Sequence, residues 1–551
     1  MLVVLLIWLY MLPVFFITGF GLVCAMDRTH RYICANPESY ILAGLGAVTI
    51  YSEIFSLIYK VGLLANIVLV LLVLSIFFMC KRKLAEYLIE LKKRAKPWHL
   101  IAILIITIIF AYGASHGYIH YDSDLYHAQS IHWIEDYGVV KGLGNIHTRL
   151  AYNSAAFCLT ALFSMSFFGG ASYHVCAGFL ALIVFLMSRK LFIKGELFAP
   201  KLSNACRLLA IYYVFIIFDE MVSPESDYFM VLSVIALMIL LLELMENKVN
   251  DTYPYCMLSV FTLVIISFKI SGALICLVSF YAVYLLLKDK DIRGIVKYLI
   301  TGVLFVAPFL VRSVILSGYL VYPMASIDIF DFDFKIPKEI AVFDNKEIQV
   351  YGRGYLDITR YGEPLDRWIG DWFRSLGMVN KLSFVLALIS LLLVIIYLIV
   401  ALVKKDKDEL KYIFIMGVSA LSFTAFILTS PNIRYGCIFL WLLPLLSLTY
   451  LYIHTLSRID RGVVFKVFIG LFCVYKIFSF SKETITTFTG EYLIKQQDYN
   501  VYSLSTFDIG GYTFYMPVDG DRVGYDSFPA VPYDKGARLI TDDIKDGFIL
   551  N

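Results

Sequence analysis

The chain has 551 residues, 60% of them hydrophobic and 16% aromatic, with a mean hydropathy of +0.76. A soluble globular domain has no use for that much apolar surface, so the composition predicts a polytopic membrane protein. The formal net charge of +3 is small and dispersed, which argues against a nucleic-acid partner, and the ten cysteines sit in or beside apolar runs, which argues against a disulfide framework.

The chain opens on the apolar run MLVVLLIWLYMLPVFFITGFGLV, which lacks the basic start of a cleaved leader and is long enough to span, so it predicts a retained first helix. Taking runs of about 17–25 residues as the spanning unit, spans are predicted near 1–24, 40–59, 61–80 and 98–115. Others follow near 172–189, 203–218, 228–246, 255–270, 271–287 and 295–317. The last four are near 381–403, 411–429, 436–453 and 463–480, fourteen in all.

Orientation follows from the basic loops. The loop KRKLAEYLIELKKRAK belongs in the cytoplasm by the excess of Lys and Arg expected there, which places residues 116–171 outside. If the apolar run 151–168 also crossed, the loops SRKLFIKGELFAPK, KDKDIRGIVK and KKDKDELK would all fall outside. An interfacial run that lies along or dips into the outer surface keeps every basic loop inside, and Asn153, Ser154, Thr160 and Ser164 suit it. Residues 482–551 then lie outside with 11 Asp and Glu against 6 Lys and Arg, and their turn-rich, aromatic sequence predicts a small folded cap with short strands. Three parts result: N-terminal spans in 1–97, a core in 98–480 with outer loops 116–171 and 318–380, and an extracytoplasmic cap in 481–551.

The polar stretch YDSDLYHAQSIHWIEDYGVVKGLGNIHTRL, residues 121–150, concentrates the chemistry. Leu125, Ala128, Ile131 and Ile134 recur every three residues and predict an amphipathic helix over 124–137. Two readings of Asp122 compete. As a helix cap, it or Ser123 accepts hydrogen bonds from the first turn. As a general base, it removes a proton from an acceptor hydroxyl, which helps only where cations or a metal stabilise a leaving phosphate. Lys269, Arg312 and Arg434 stand at the expected outer ends of separate spans. Each alone reads as a side chain reaching for headgroups; together beside an acidic loop they read as a site. The turn DEMVSPESDYF offers Asp219, Glu220, Glu225 and Asp227, with Asp227 nearest the following span. Five of nine histidines lie in 116–147, and the His116, His120 spacing is a weak zinc signal without a third ligand. No dinucleotide fingerprint, phosphate-binding loop or nucleophile elbow is present.

The loop opening D-S-D-L-Y-H-A-Q-S-I, entered from one span and followed by an apolar run, resembles the GT-C superfamily of glycosyltransferases that use polyprenyl-phosphate sugars, such as aminoarabinose transferases and protein O-mannosyltransferases. The strings GLGNIHTRLAYNSAAF, SPESD, ILSGYLVYP and DDIKDGF resemble a bacterial multi-spanning family of that fold. The likeness covers most of the chain from about residue 98. It implies an all-α, GT-C-like polytopic protein of the bacterial inner membrane, with site and C-terminus extracytoplasmic. It further implies Asp122 as catalytic acid residue with Asp124 as fallback, Tyr126 four residues on, and Lys269, Arg312 and Arg434 holding the lipid phosphate; His127, His147, Arg149 and Asp227 are added from the polar loops as substrate-binding candidates. The donor would be a polyprenyl-phosphate sugar, the acceptor a cell-surface glycan or lipid, by an inverting transfer needing no organic cofactor; a divalent metal ion stays open. The sequence departs from the pattern in an Asp-Ser where Asp-Glu is usual and in three extra spans before the loop. Rival expectations are a lipid-linked oligosaccharide flippase or other transporter, and a polysaccharide polymerase or ligase.

Overall fold

A backbone crossing hydrocarbon must satisfy its own hydrogen bonds, so long apolar runs become helices. In the computed structural model, which describes residues 1–27, 36–94, 96–192, 199–455 and 488–550, the helices are α1 (Leu2–Met26), α2 (Pro37–Ile58), α3 (Leu63–Arg94), α4 (Pro97–Gly113), α5 (Ala128–Asp136), α6 (Ala155–Phe163), α7 (Cys176–Met187), α8 (Leu202–Ile216) and α9 (Ser226–Glu246). They continue as α10 (Thr252–Phe268), α11 (Ser279–Lys288), α12 (Ile292–Ser317), α13 (Lys338–Gly352), α14 (Leu365–Ser375), α15 (Met378–Lys404), α16 (Lys407–Leu428) and α17 (Ile433–Thr455). Residues 504–549 add two antiparallel pairs, β1 (Leu504–Ile509) with β2 (Tyr512–Pro517), and β3 (Arg538–Leu539) with β4 (Phe548–Ile549). The protein is thus an all-α polytopic membrane protein with little sheet.

Among the described residues, nine helices are long and apolar enough to cross a membrane: α1, α2, α3, α9, the Ile270–Lys288 helix that ends in α11, α12, α15, α16 and α17. The spans expected near 98–115, 172–189, 203–218 and 255–270 are instead the shorter α4, α7, α8 and α10, of 17, 12, 15 and 17 residues. Most of α7 and α8 is buried among other helices, where protein rather than lipid surrounds the helix ends, so full bilayer length is not required of them. The span expected near 463–480 lies outside the described residues.

The run 151–168 departs from a surface-lying helix. Its helical part, α6, has nine residues, all buried, and at about 1.5 Å per residue is too short to cross. Ser154 caps it by accepting from Ala156 N at 3.2 Å and donates from Oγ to the Phe268 carbonyl at 2.8 Å. Beyond it the chain folds back, with Tyr173 N donating to the Ser164 carbonyl at 2.8 Å. It is a short buried intrusion.

The core centres on α9, buried along nearly its whole length between α7, α8, α10 and α17. On the outside, α3, α12 and α15 leave Leu, Ile, Val and Phe side chains exposed, as a surrounding hydrocarbon phase requires. The closest helix pair, α1 with α2, meets at glycines: a Cβ at Gly19 would lie 1.8 Å from the Tyr40 carbonyl oxygen, and one at Gly44 1.7 Å from that of Phe15. Small residues let backbones approach this closely in membranes. A leucine at either position has to push the helices apart. Gly44→Leu is expected to destabilise the folded protein by about 2 kcal/mol or more, read as a lower thermal midpoint in detergent, whereas Gly417→Ala, where a Cβ meets nothing within 4 Å, leaves it unchanged.

Candidate functional site

The polar stretch after α4 starts with a π-helical turn, Ser123–His127, that runs directly into α5. Leu125, Ile131 and Ile134 point into the core as the three-residue recurrence predicts, but the predicted single α-helix over 124–137 begins as a wider turn. Neither capping reading holds: Asp122 stands at the start of the turn in a helical conformation and makes no side-chain cap bond, and Ser123 Oγ lies 3.4 Å from His127 Nδ1.

Asp122 instead faces α17. Its Oδ2 accepts from Arg434 Nη2 at 2.5 Å, while Oδ1 has only Arg149 Nη1, at 3.9 Å. Arg434 also lies 3.8 Å from Glu225 Oε1, 3.6 Å from Asp227 Oδ2 and 2.9 Å from His120 Nε2. Asp227 pairs with Lys269, whose ammonium sits 4.6 Å over the Tyr435 ring. His120 Nδ1 lies 3.1 Å from Glu225 Oε1, and His127, buried beside it, 4.0 Å from the same oxygen. Tyr126 is buried against His127, Tyr152 and Phe157. The cluster thus gathers the start of α9, the last residue before the Ile270–Lys288 helix and the start of α17 around the loop that carries Asp122. Its formal charges cancel: Asp122, Glu225 and Asp227 against Arg149, Lys269 and Arg434.

Burial and partners set the proton affinities here. Burial works to raise Glu225, but His127, Arg434 and His120 together hold it well below the ordinary carboxylate range. His127 is itself pushed down to about 4 by burial, so at neutral pH it is uncharged and Arg434 is the standing positive charge. For His120, burial pulls down and the hydrogen bond and charge of Glu225 pull up more strongly; the net direction is above 6.5.

Three expected site residues are placed differently. Asp124 is committed to the C-terminal segment: its Oδ2 accepts from Asn500 Nδ2 at 2.6 Å and Tyr502 OH at 2.8 Å, and its carbonyl accepts from Val523 N and Gly524 N, both at 2.9 Å. It fastens the loop to the C-terminal segment, away from the cations gathered at Asp122, and its Oδ1 is buried without a partner among the described residues. Arg312, in α12, donates to Asn153 Oδ1 at 3.2 Å and to Ser56 Oγ, and so faces α2 rather than joining the cations at Asp122. Arg149 takes the third place that Arg312 was expected to fill. His147 is buried, with neither ring nitrogen partnered among the described residues, and burial followed by the charges of Lys535 and Arg149 keeps it neutral. His116 stacks on Tyr492 at 5.4 Å while His120 turns to Glu225.

Glu225 and His120 are the members whose weight sequence reasoning missed, since Asp227 was preferred in that turn. His120, Asp122 and Glu225 present ligand atoms within 4.8 Å of one another, a donor set that suits a hard or borderline divalent cation. Arg434 touches all three, however, so a metal would have to displace a guanidinium already in place; as built, the site does not fit one.

The family described as "Domain of unknown function (DUF8201)" matches residues 1–441, four-fifths of the chain, and the chain belongs to that family. No curated protein and no solved structure matches.

His120 reports the cluster's electrostatics. A histidine raised by Glu225 stabilises the fold fully below 6.5, and that contribution is lost as pH rises through its folded value. Glu225→Gln is therefore expected to lower the His120 midpoint, followed by NMR of ring-labelled protein, and to flatten the stability change that wild type shows as pH rises above 6.5.

Proposed function

We propose that this DUF8201 member is an integral membrane glycosyltransferase that takes a sugar from a polyprenyl-phosphate donor at the extracytoplasmic face of a bacterial inner membrane and passes it to a cell-surface glycan or lipid acceptor. The observation that carries the reading is the coordination of Asp122. One carboxylate oxygen is fixed by Arg434, and among the described residues the other has only Arg149, at 3.9 Å. A carboxylate oriented through one oxygen and free through the other suits a general base, whose geometry counts before its affinity.

In the proposed transfer, Asp122 Oδ1 accepts the proton of the acceptor hydroxyl as that oxygen attacks the anomeric carbon. The bond from that carbon to the phosphate oxygen breaks, and the polyprenyl phosphate leaves with the bonding pair. Arg149, Lys269 and Arg434 supply positive charge where negative charge grows on the phosphate. The remaining contribution is positioning: three helix termini and one loop hold base and cations within a few ångströms of each other. A single displacement inverts the anomeric carbon.

Asp122→Asn preserves shape and removes the base, so transfer is expected to fall about 10²- to 10⁴-fold. Lipid-linked glycan profiling of cells carrying the variant at normal protein level should show unprocessed donor or a truncated glycan; a profile identical to wild type would overturn the assignment. Topology is separable. In a cysteine-free background, Val501→Cys is expected to react with an impermeant thiol reagent on intact cells and Lys407→Cys only after lysis. Labelling in the reverse order would put the site on the wrong face.

A further inference from the structure

A second polar region adjoins the Asp122 cluster on the side of the C-terminal segment. A cavity of about 450 Å³, within the range of small-molecule sites, is lined by Glu339, Ile340 and Phe343 from α13 and by Tyr533, Lys535 and Leu550. Phe343 and Tyr533 expose more than half of their surface. Lys535 is half-buried and makes no ion pair or hydrogen bond among the described residues; its ammonium lies 5.8 Å over the Tyr533 ring. Behind Tyr533, with ring centroids 6.2 Å apart, is buried His147 with both ring nitrogens unpartnered. Two residues on is Arg149, which donates no side-chain hydrogen bond among the described residues and reaches Asp122 at 3.9 Å. Two carboxylates, Asp344 and Glu347, are near enough to act on the Lys535 charge; Asp344 accepts from Tyr152 OH at 2.8 Å, and Glu347 and Glu339 are exposed.

Lys535 is a half-buried ammonium with no hydrogen-bond acceptor among the described residues, and a charge removed from water is costly until an anion joins it. Two open aromatic faces beside it suit the apolar faces of sugar rings. The donor phosphate, tied to its lipid, belongs with Arg149, Lys269 and Arg434 at the Asp122 cluster. The cavity is walled by α13 and the C-terminal segment instead.

We infer that this cavity is the acceptor subsite, and that it takes a saccharide carrying an anionic substituent, a carboxylate or phosphate, held at Lys535 with its rings against Tyr533 and Phe343. The inference rests on the transferase reading for the word acceptor, while the binding site itself is tested without turnover.

The test uses full-length protein in nanodiscs and measures binding by titration calorimetry, with a galacturonic acid trisaccharide, the neutral galactose trisaccharide and inorganic phosphate as probes. Wild type is expected to bind the acidic trisaccharide about tenfold more tightly than the neutral one, the size of one charge-assisted hydrogen bond. Lys535→Gln should erase that preference and Lys535→Arg should keep it, which separates charge recognition from loss of fold. Equal binding of the two trisaccharides, an unchanged preference in Lys535→Gln, or binding of phosphate with no binding of the acidic trisaccharide would each overturn the proposal. Asp122→Asn should retain the preference. If it does while its cellular glycans match wild type, the transferase reading fails and the subsite stands; if transfer is lost but no preference exists, the subsite fails alone.

Discussion

One guanidinium holds the site together. Arg434 reaches Asp122 and His120 in the loop after α4 and Glu225 and Asp227 at the start of α9, and is itself carried on the start of α17. Asp122, Glu225 and Asp227 are almost fully buried, and removing three carboxylates from water without cations would cost several kcal/mol for each. The matching of three negative with three positive groups is therefore a condition for the bundle to close here. It also fixes direction: α9, the Ile270–Lys288 helix and α17 must bring their site ends to the same level as the loop.

The loop is gripped from its other face as well. Besides Asp124, Gln129 donates to the Gly524 and Ser527 carbonyls at 2.9 and 3.0 Å and accepts from Ala530 N at 2.9 Å; Glu135 accepts from Tyr525 OH at 2.5 Å; and His132 stacks between Tyr525 and Phe528. The π turn and α5 are thus amphipathic for two kinds of protein neighbour. Leu125, Ile131 and Ile134 enter the helical core, and the polar residues bind a segment almost four hundred residues later. Glu135 and Asp124, both lifted above the ordinary carboxylate range by burial, belong to this clamp. A polar loop sandwiched this way has little freedom, which is what the proposed role of Asp122 would require.

How much of this could be read in the sequence depends on how local the cause is. Apolar runs alone locate thirteen of the fourteen expected spans on helices, because the backbone in hydrocarbon has one solution; their lengths were less legible, since α7 and α8, packed among other helices, are short while α9, equally buried, keeps its full length. The gathering of Asp122, Asp227, Lys269 and Arg434 was legible because charge at membrane depth is too costly to be idle. Assigning partners was not. Nothing near Asp124 signals Asn500 and Tyr502, and nothing near Arg312 signals Ser56 on a helix more than 250 residues earlier. Glu225 was undervalued for the same reason: on the page it is a loop acid before a helix, and only the fold delivers His120 and Arg434 to it.

A closed charge balance constrains any substrate that carries a phosphate. An incoming phosphate adds negative charge to a cluster whose carboxylates already match its cations, so at least one cation must change partner. Lys269 is held both by Asp227 and by the Tyr435 ring, and Arg434 by three carboxylates, so each would give up much to turn away. Arg149 holds Asp122 only at 3.9 Å, and a third of its side chain is exposed. It is the cation whose transfer to a phosphate costs least, and in the proposed transfer its departure would leave Asp122 Oδ1 without that charge as the acceptor's proton moves onto it. Losing a cation raises a carboxylate's proton affinity. Arrival of the donor phosphate and activation of the base would then be one event, joined through Arg149.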